Sequence, residues 1–140
     1  MSVLKRGSLG AVFVAQLVAS TLFGWAQTPQ SLQNRIPKPD SKKYRAIQDA
    51  KDWKNPYLIV RRDGVEIVGM TAVGQAIPVN SVPGVLNGLS ESAWPYGLVV
   101  AVQDIGVVSE GDPRRIEANQ KTLLMLLKKL AIAVDLWPSA

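Results

Sequence analysis

An α+β domain behind an N-terminal apolar helix is the fold class this chain predicts, on three observations. Tyr57 to Arg62 is β-branched and aromatic, and it runs into Asp63-Gly64, the strongest short hairpin signal. Leu98 to Val102 is a continuous apolar run, as in a central strand covered on both faces. Asp112-Pro113 then opens a segment whose apolar residues recur at helical spacing as far as Leu130. The order is β-β-α-β-α-β: a two-layer sandwich with two helices packed on one face of a small mixed sheet.

The first element is an address. Lys5 and Arg6 form a short cationic start, and Leu9 to Ala26 is an uncharged apolar run. Gly24-Trp25-Ala26 places small residues at the −3 and −1 positions of a cut between Ala26 and Gln27, which predicts an export signal. The run is also near the lower limit of the roughly 17 to 25 residues that span a bilayer, so residues 1–26 read as signal peptide or membrane anchor. In either case the positive flank stays inside, and the rest is expected in the periplasm, outside the cell, or held at the inner membrane by residues 9–26.

Residues 27–54 read as a polar, basic linker. From Gln27 to Ser41 glutamine, proline, serine and lysine dominate. Between Lys42 and Lys54, Tyr44, Ile47 and Ala50 share a face at helical spacing, which allows a short docking helix or the frayed end of the linker. Asn55-Pro56 marks the boundary, because the residue before proline is pushed out of the α region, and residues 55–140 form the α+β domain.

Within it, Val65 to Gly69 is the second strand and Ile77 to Val79 a brief return to extended chain. Ser81 opens a short helix to Leu89, with Pro83 in its first turn and Val82, Val85, Leu86 and Leu89 inward. Trp94-Pro95-Tyr96-Gly97 is a rigid connection to the central strand. The second helix buries Ile116, Leu123, Leu127 and Leu130 and leaves Lys121, Lys128 and Lys129 in water. Ile132 to Leu136 is the closing strand, ended by Trp137-Pro138.

This order, behind one apolar segment and a polar linker, resembles the periplasmic domain of the ExbD/TolR family of biopolymer-transport proteins. The matching segments are Leu58-Ile59-Val60 with Asp63-Gly64, Val79 to Leu89, Val99 to Asp104, Asn119 to Leu130, and Ile132 to Leu136. The resemblance implies an envelope-side interaction domain. The family's ion coupling needs an aspartate in the membrane helix, and Leu9 to Ala26 holds no acid, only the amide of Gln16; a membrane-anchored, transport-associated subunit without proton coupling is what it leaves.

Composition narrows the chemistry. The chain has no histidine and no cysteine, which excludes a Ser-His-Asp triad, a Cys-His pair, histidine-ligated zinc and disulfides. Its glycines fit neither a P-loop nor a dinucleotide fingerprint, so no cofactor is expected. Removing Lys5 and Arg6 lowers the net charge of +5 to about +3, too little to argue for nucleic acid. Asp104, Glu110 and Asp112 cluster near one loop and read as solvated acids and a helix cap, as a site for a hard cation, or as paired carboxylates for acid/base work. Trp53, Tyr57, Trp94, Tyr96 and Trp137 are the candidate partner surface, or else plugs at the ends of a small core. The expected function is that of an exported, non-enzymatic interaction domain with a protein or envelope partner. The alternative is a small module binding a glycan, a peptide or a cation.

Overall fold

In a computed structural model of the chain, residues 31–104 and 113–138 are described. They belong to one compact unit that begins at Ser31. Its strands are β1 (Tyr57–Arg61), β2 (Gly64–Ile67), β3 (Val99–Asp104) and β4 (Ala133–Trp137), in the sheet order β2-β1-β3-β4. β1 and β2 pair antiparallel across the hairpin, whereas β1 with β3 and β3 with β4 are parallel. The fold is α+β with a small mixed sheet, and the apolar run of β3 lies inside it, as its composition predicts.

Alternation along the strands divides the side chains between two faces. Leu58, Val60, Val65, Ile67, Val100 and Val102 point to one face, where they form a core with Val82 and Leu86 of a helix at Val82–Asn87 and with Ile116, Leu123 and Leu127 of a helix at Pro113–Lys129. Both predicted helices therefore cover the same face. Lys121, Lys128 and Lys129 are exposed, and Leu130 is half-buried. The long helix also grips the hairpin: Asn119 Nδ2 donates to the carbonyls of Arg61 and Arg62, at 2.8 Å each.

The linker reading is corrected from residue 31 onward. Two one-turn helices, α1 (Leu32–Arg35) and α2 (Ser41–Tyr44), lie in an arm that packs on the domain. In chain order the two later helices are then α3 (Val82–Asn87) and α4 (Pro113–Lys129). Leu32 and Ile36 are buried in the helix-side core, and Arg35 Nη2 donates to the Asn87 carbonyl at the end of α3 (2.9 Å). The arm crosses the start of β3, where Leu98 N–H donates to the Pro37 carbonyl and Asp40 N–H to that of Tyr96 (2.9 Å each). It continues on the opposite face, where Tyr44, Ile47 and Trp53 meet Tyr57, Ile59, Val99 and Ala101. Composition misreads the arm because its few apolar residues are far apart in sequence, yet each lands in a site shaped by another element.

The hairpin differs in one detail. Its two-residue loop is Arg62-Asp63, and Gly64 is already the first residue of β2, paired with Arg61. Glycine is required there by a close approach: at φ 147° a Cβ on Gly64 would stand 1.9 Å from the Ile77 carbonyl oxygen. Ile77 is the predicted return to extended chain, reduced to one bridge in which Val65 and Ile77 exchange both N–H···O bonds at 2.9 Å. That bridge covers the outer edge of β2. Gly64→Ala is expected to lower the unfolding free energy by about 3 kcal/mol. Gly84→Ala, in α3 with open space at its Cβ, is expected to raise it by about 0.5 kcal/mol. Urea denaturation of both variants is the measurement.

Candidate functional site

The sheet face opposite the helices is aromatic. Trp53 stands at its centre, edge-on to Tyr96 (centroids 5.1 Å apart), Tyr44 (5.5 Å) and Trp137 (6.0 Å), and Trp137 meets Tyr57 at 5.6 Å. Interplanar angles of 64 to 79° in these four pairs set the positive ring edges against the negative faces. The polar tips are satisfied locally. Trp53 Nε1 donates to the Pro56 carbonyl (3.1 Å), Tyr96 Oη donates to the Asp52 carbonyl (3.1 Å) while accepting from Lys54 N–H (3.0 Å), and Tyr57 Oη bonds to Gln103 Oε1. Trp137 Nε1 donates to Asp135 Oδ2 (3.0 Å) within β4.

Asn55 holds this layer to the sheet. Its buried amide Nδ2 donates to the carbonyls of Gly97 (2.8 Å) and Val99 (2.7 Å), and its Oδ1 accepts from Tyr96 N–H (2.9 Å). Three backbone groups at the start of β3 thus depend on one side chain. The sequence marks Asn55 only as the residue before a proline; Tyr44 and Gln103, the other polar contributors, carry no stronger signal.

The structure brings four of the five candidate aromatics together and separates the fifth. Trp53, Tyr57 and Tyr96 are buried and Trp137 is half-buried, so the first three act as a second core and Trp137 alone offers part of its ring to a partner. Trp94 lies in the helix-side core, 3 % exposed, and its Nε1 has no hydrogen-bond partner. The two residues between Trp94 and Gly97 turn the chain, which sends Trp94 and Tyr96 to opposite faces.

Asp104 ends β3 and is half-buried, in register with Val60. Glu110 and Asp112 lie outside the described residues, as do Ala26 and Gln27 of the expected cleavage site. Among the described residues no group of three or more acidic side chains is placed to hold a metal ion, and no helix is long and apolar enough to cross a membrane.

Beside Trp137 a groove of about 340 Å³ runs along β4, between Arg45, Ile47 and Gln48 of the arm and Asp135, Leu136 and Pro138 of the strand. Among the described residues β4 is an edge of the sheet with no strand beyond it. Ala133 N–H donates to the Leu98 carbonyl at 3.0 Å, so in this parallel pair Ala133, Asp135 and Trp137 turn their backbone groups toward β3. Val134 and Leu136 turn theirs outward. Leu136 is 62 % exposed.

No protein-family model, curated protein or solved structure matches this chain.

Two expectations follow from the geometry. Asn55→Ala removes the side-chain partner of the Val99 carbonyl and the Tyr96 N–H and leaves the Gly97 carbonyl only its bond from Val99 N–H, and the unfolding free energy is expected to fall by about 3 kcal/mol, read by thermal denaturation. Burial, and then the carboxylates of Asp135 and Asp40, raise the Tyr44 phenol above its usual 10.0; burial raises that of Tyr57. The folded state thus favours the neutral phenols. Their contribution to stability is full below pH 10 and declines as pH rises from there through the folded values. In an alkaline absorbance titration the two phenolates are expected to form above pH 10 in the native protein and near 10 in denaturant.

Proposed function

We propose that this chain is an exported, non-enzymatic protein whose α+β domain binds an extended segment of a partner protein along the free edge of β4. The carrying observation is the open strand with a groove beside it: Val134 and Leu136 offer outward N–H and C=O groups, and the half-buried ring of Trp137 and the side chain of Leu136 line the adjoining space. Strand addition uses such groups for affinity and alternate side-chain pockets for specificity. Magnitudes favour a joint contribution. Backbone bonds to two residues supply a few kcal/mol net, at about 1 each, which association entropy largely offsets. A partner side chain buried on Trp137 or Leu136 adds about 1.5 to 3 kcal/mol.

Two further features support the reading. The polar side chains around the aromatic face are engaged in holding the fold, since Asn55, Gln103 and Asp135 each bond within it. The other sheet edge, at β2, is already bridged by Ile77, which leaves one strand for a partner. The export reading rests on Lys5, Arg6 and the apolar run from Leu9 to Ala26.

The test is a selection of displayed random peptides against the full chain, followed by amide exchange on the complex. Bound peptides are expected to slow exchange at Val134 and Leu136. Val134→Pro deletes an outward donor without touching the β3 ladder and is expected to bind about tenfold more weakly, roughly 1.4 kcal/mol, than Val134→Ala, which also gives up the packing of Val134 on the helix-side core but keeps the donor. Peptides that bind with both amides still exchanging freely, and equally well to Val134→Pro, would refute the edge as the site.

A further inference from the structure

Opposite in character to the arm is the loop that follows β2. No charged side chain occurs from residue 67 to residue 90. Within that stretch Val68, Met70 and Val73 are 48, 46 and 97 % exposed, three of the five large apolar side chains that the described fold leaves outside. The loop is tied down rather than loosely hung. Met70 and Thr71 N–H both donate to the Ile67 carbonyl (3.0 Å), Thr71 Oγ1 accepts from Ile67 N–H (3.1 Å), and Gln75 N–H donates to the Ala72 carbonyl (2.9 Å). A fixed backbone therefore holds Met70 and Val73 out into solvent.

The surroundings indicate what covers them. Val68 N–H donates to the Tyr57 carbonyl, which sets the loop at the end of the sheet where β1 begins. Parallel pairing puts the starts of β3 and β4 at that same end. There α4 finishes with the exposed Lys128 and Lys129, and Lys54 adjoins the Asn55 clamp. Asp40, Asp52 and Glu91 are acids on neighbouring turns, and Asp49 is paired with Lys51. The arm also reaches the sheet at this end, through Pro37 and Leu98.

We propose that this end of the domain rests on an anionic bilayer surface, with Met70 and Val73 entering the headgroup region and Lys54, Lys128 and Lys129 facing lipid phosphates. An uncharged apolar tip with lysines at the same end of the sheet fits interfacial binding, in which apolar burial and attraction to anionic lipid act together. The inference depends on the export reading only for which membrane is met. It is independent of the β4 edge, whose outward groups lie on the far side of the sheet order from β2.

The chain has no cysteine, so one nitroxide can be attached at a chosen position of the full-length protein. Val73→Cys and, on the hairpin at the other end of the sheet, Asp63→Cys are labelled and reconstituted in vesicles of phosphatidylethanolamine with phosphatidylglycerol. Collisions with oxygen and with an aqueous nickel chelate are then measured. The label at 73 is expected to lose its nickel collisions and gain oxygen collisions, while the label at 63 keeps the aqueous pattern. Adding Lys128→Gln and Lys129→Gln, or replacing the anionic lipid by phosphatidylcholine, is expected to restore part of the nickel collisions at 73. An aqueous pattern at 73 in anionic vesicles overturns the proposal. So does protection at 73 that is present without lipid and grows with protein concentration, which would make a second copy the occupant. Neither readout involves Val134 or Leu136, so failure here leaves strand addition standing, and the converse holds.

Discussion

The rest of the structure depends on a central strand that is apolar on both faces. Val100 and Val102 need cover on one side, Val99 and Ala101 on the other, and all four are buried. Two helices supply the first layer. Among the described residues no helix longer than one turn lies over the second, and an uncovered face of Tyr57, Ile59, Val99 and Ala101 would expose a contiguous apolar patch. The arm fills that role with very little regular structure: one turn of α-helix, one of 3₁₀ and the rings of Tyr44 and Trp53. Since so short a segment cannot be held by its own hydrogen bonds, the burden falls on side-chain anchors. Asn55 is the principal one, because its three bonds tie the end of the arm to the strand it covers.

The elements that were legible in the sequence are those with local signals. Helix α4 declares itself by the spacing of Ile116, Leu123 and Leu127, α3 by Ser81, Pro83 and its inward valines, and β3 by its unbroken apolar run. The arm was legible only in part: Tyr44 and Ile47 share the helical spacing that allows a docking helix, but Leu32, Ile36 and Trp53 fall outside that period. They serve two different faces, and the chain changes face between Ile36 and Tyr44. Nor can composition tell Trp94 from Tyr96: both are buried aromatics two residues apart, and only the turn between them decides which core each joins. Gly64 shows a third kind of limit. Asp-Gly reads correctly as a hairpin, but the reason for the glycine is the Ile77 carbonyl thirteen residues later, a tertiary contact with no local trace.

Of the candidate site, the sequence picked out rings that the structure brings together, Trp94 apart, and left open whether they form a surface or a core. Aromatic residues near chain turns suit both a binding surface and a core, and here the choice follows from the arm. Once Tyr44 and Trp53 lie over the sheet, Tyr57 and Tyr96 are enclosed, and Trp137 is left at the rim because β4 has no neighbour beyond it. The half-exposed ring and the open strand edge thus share one cause, the end of the sheet. Natural sheets usually protect such an edge by brevity, charge or proline, and β4 carries all three in its five residues, Asp135 and the following Pro138. These devices limit pairing with long, indiscriminate strands while leaving two outward residues for a short one.

The two ends of the sheet contrast in the same way. At the hairpin end, Glu66 is 5 % exposed and takes bonds from Arg61 at Nε (2.8 Å) and Nη2 (2.7 Å), while Asn119 caps the carbonyls of the turn. A buried carboxylate is tolerable only with such a partner, and removing Arg61 would leave its charge uncompensated. That end is therefore specified by polar geometry. At the other end backbone bonds from Val68 to Tyr57, from Met70 to Ile67 and from Gln75 to Ala72 order the loop, while Val68 and Met70 keep nearly half of their surface in water and Val73 nearly all of it. The apolar surface that the loop leaves in water, nearly all of Val73 and about half of Met70, contributes nothing to folding, since it is exposed before and after it. The hydrogen bonds that order this loop stabilise an arrangement whose benefit comes only when something outside the domain removes Met70 and Val73 from water.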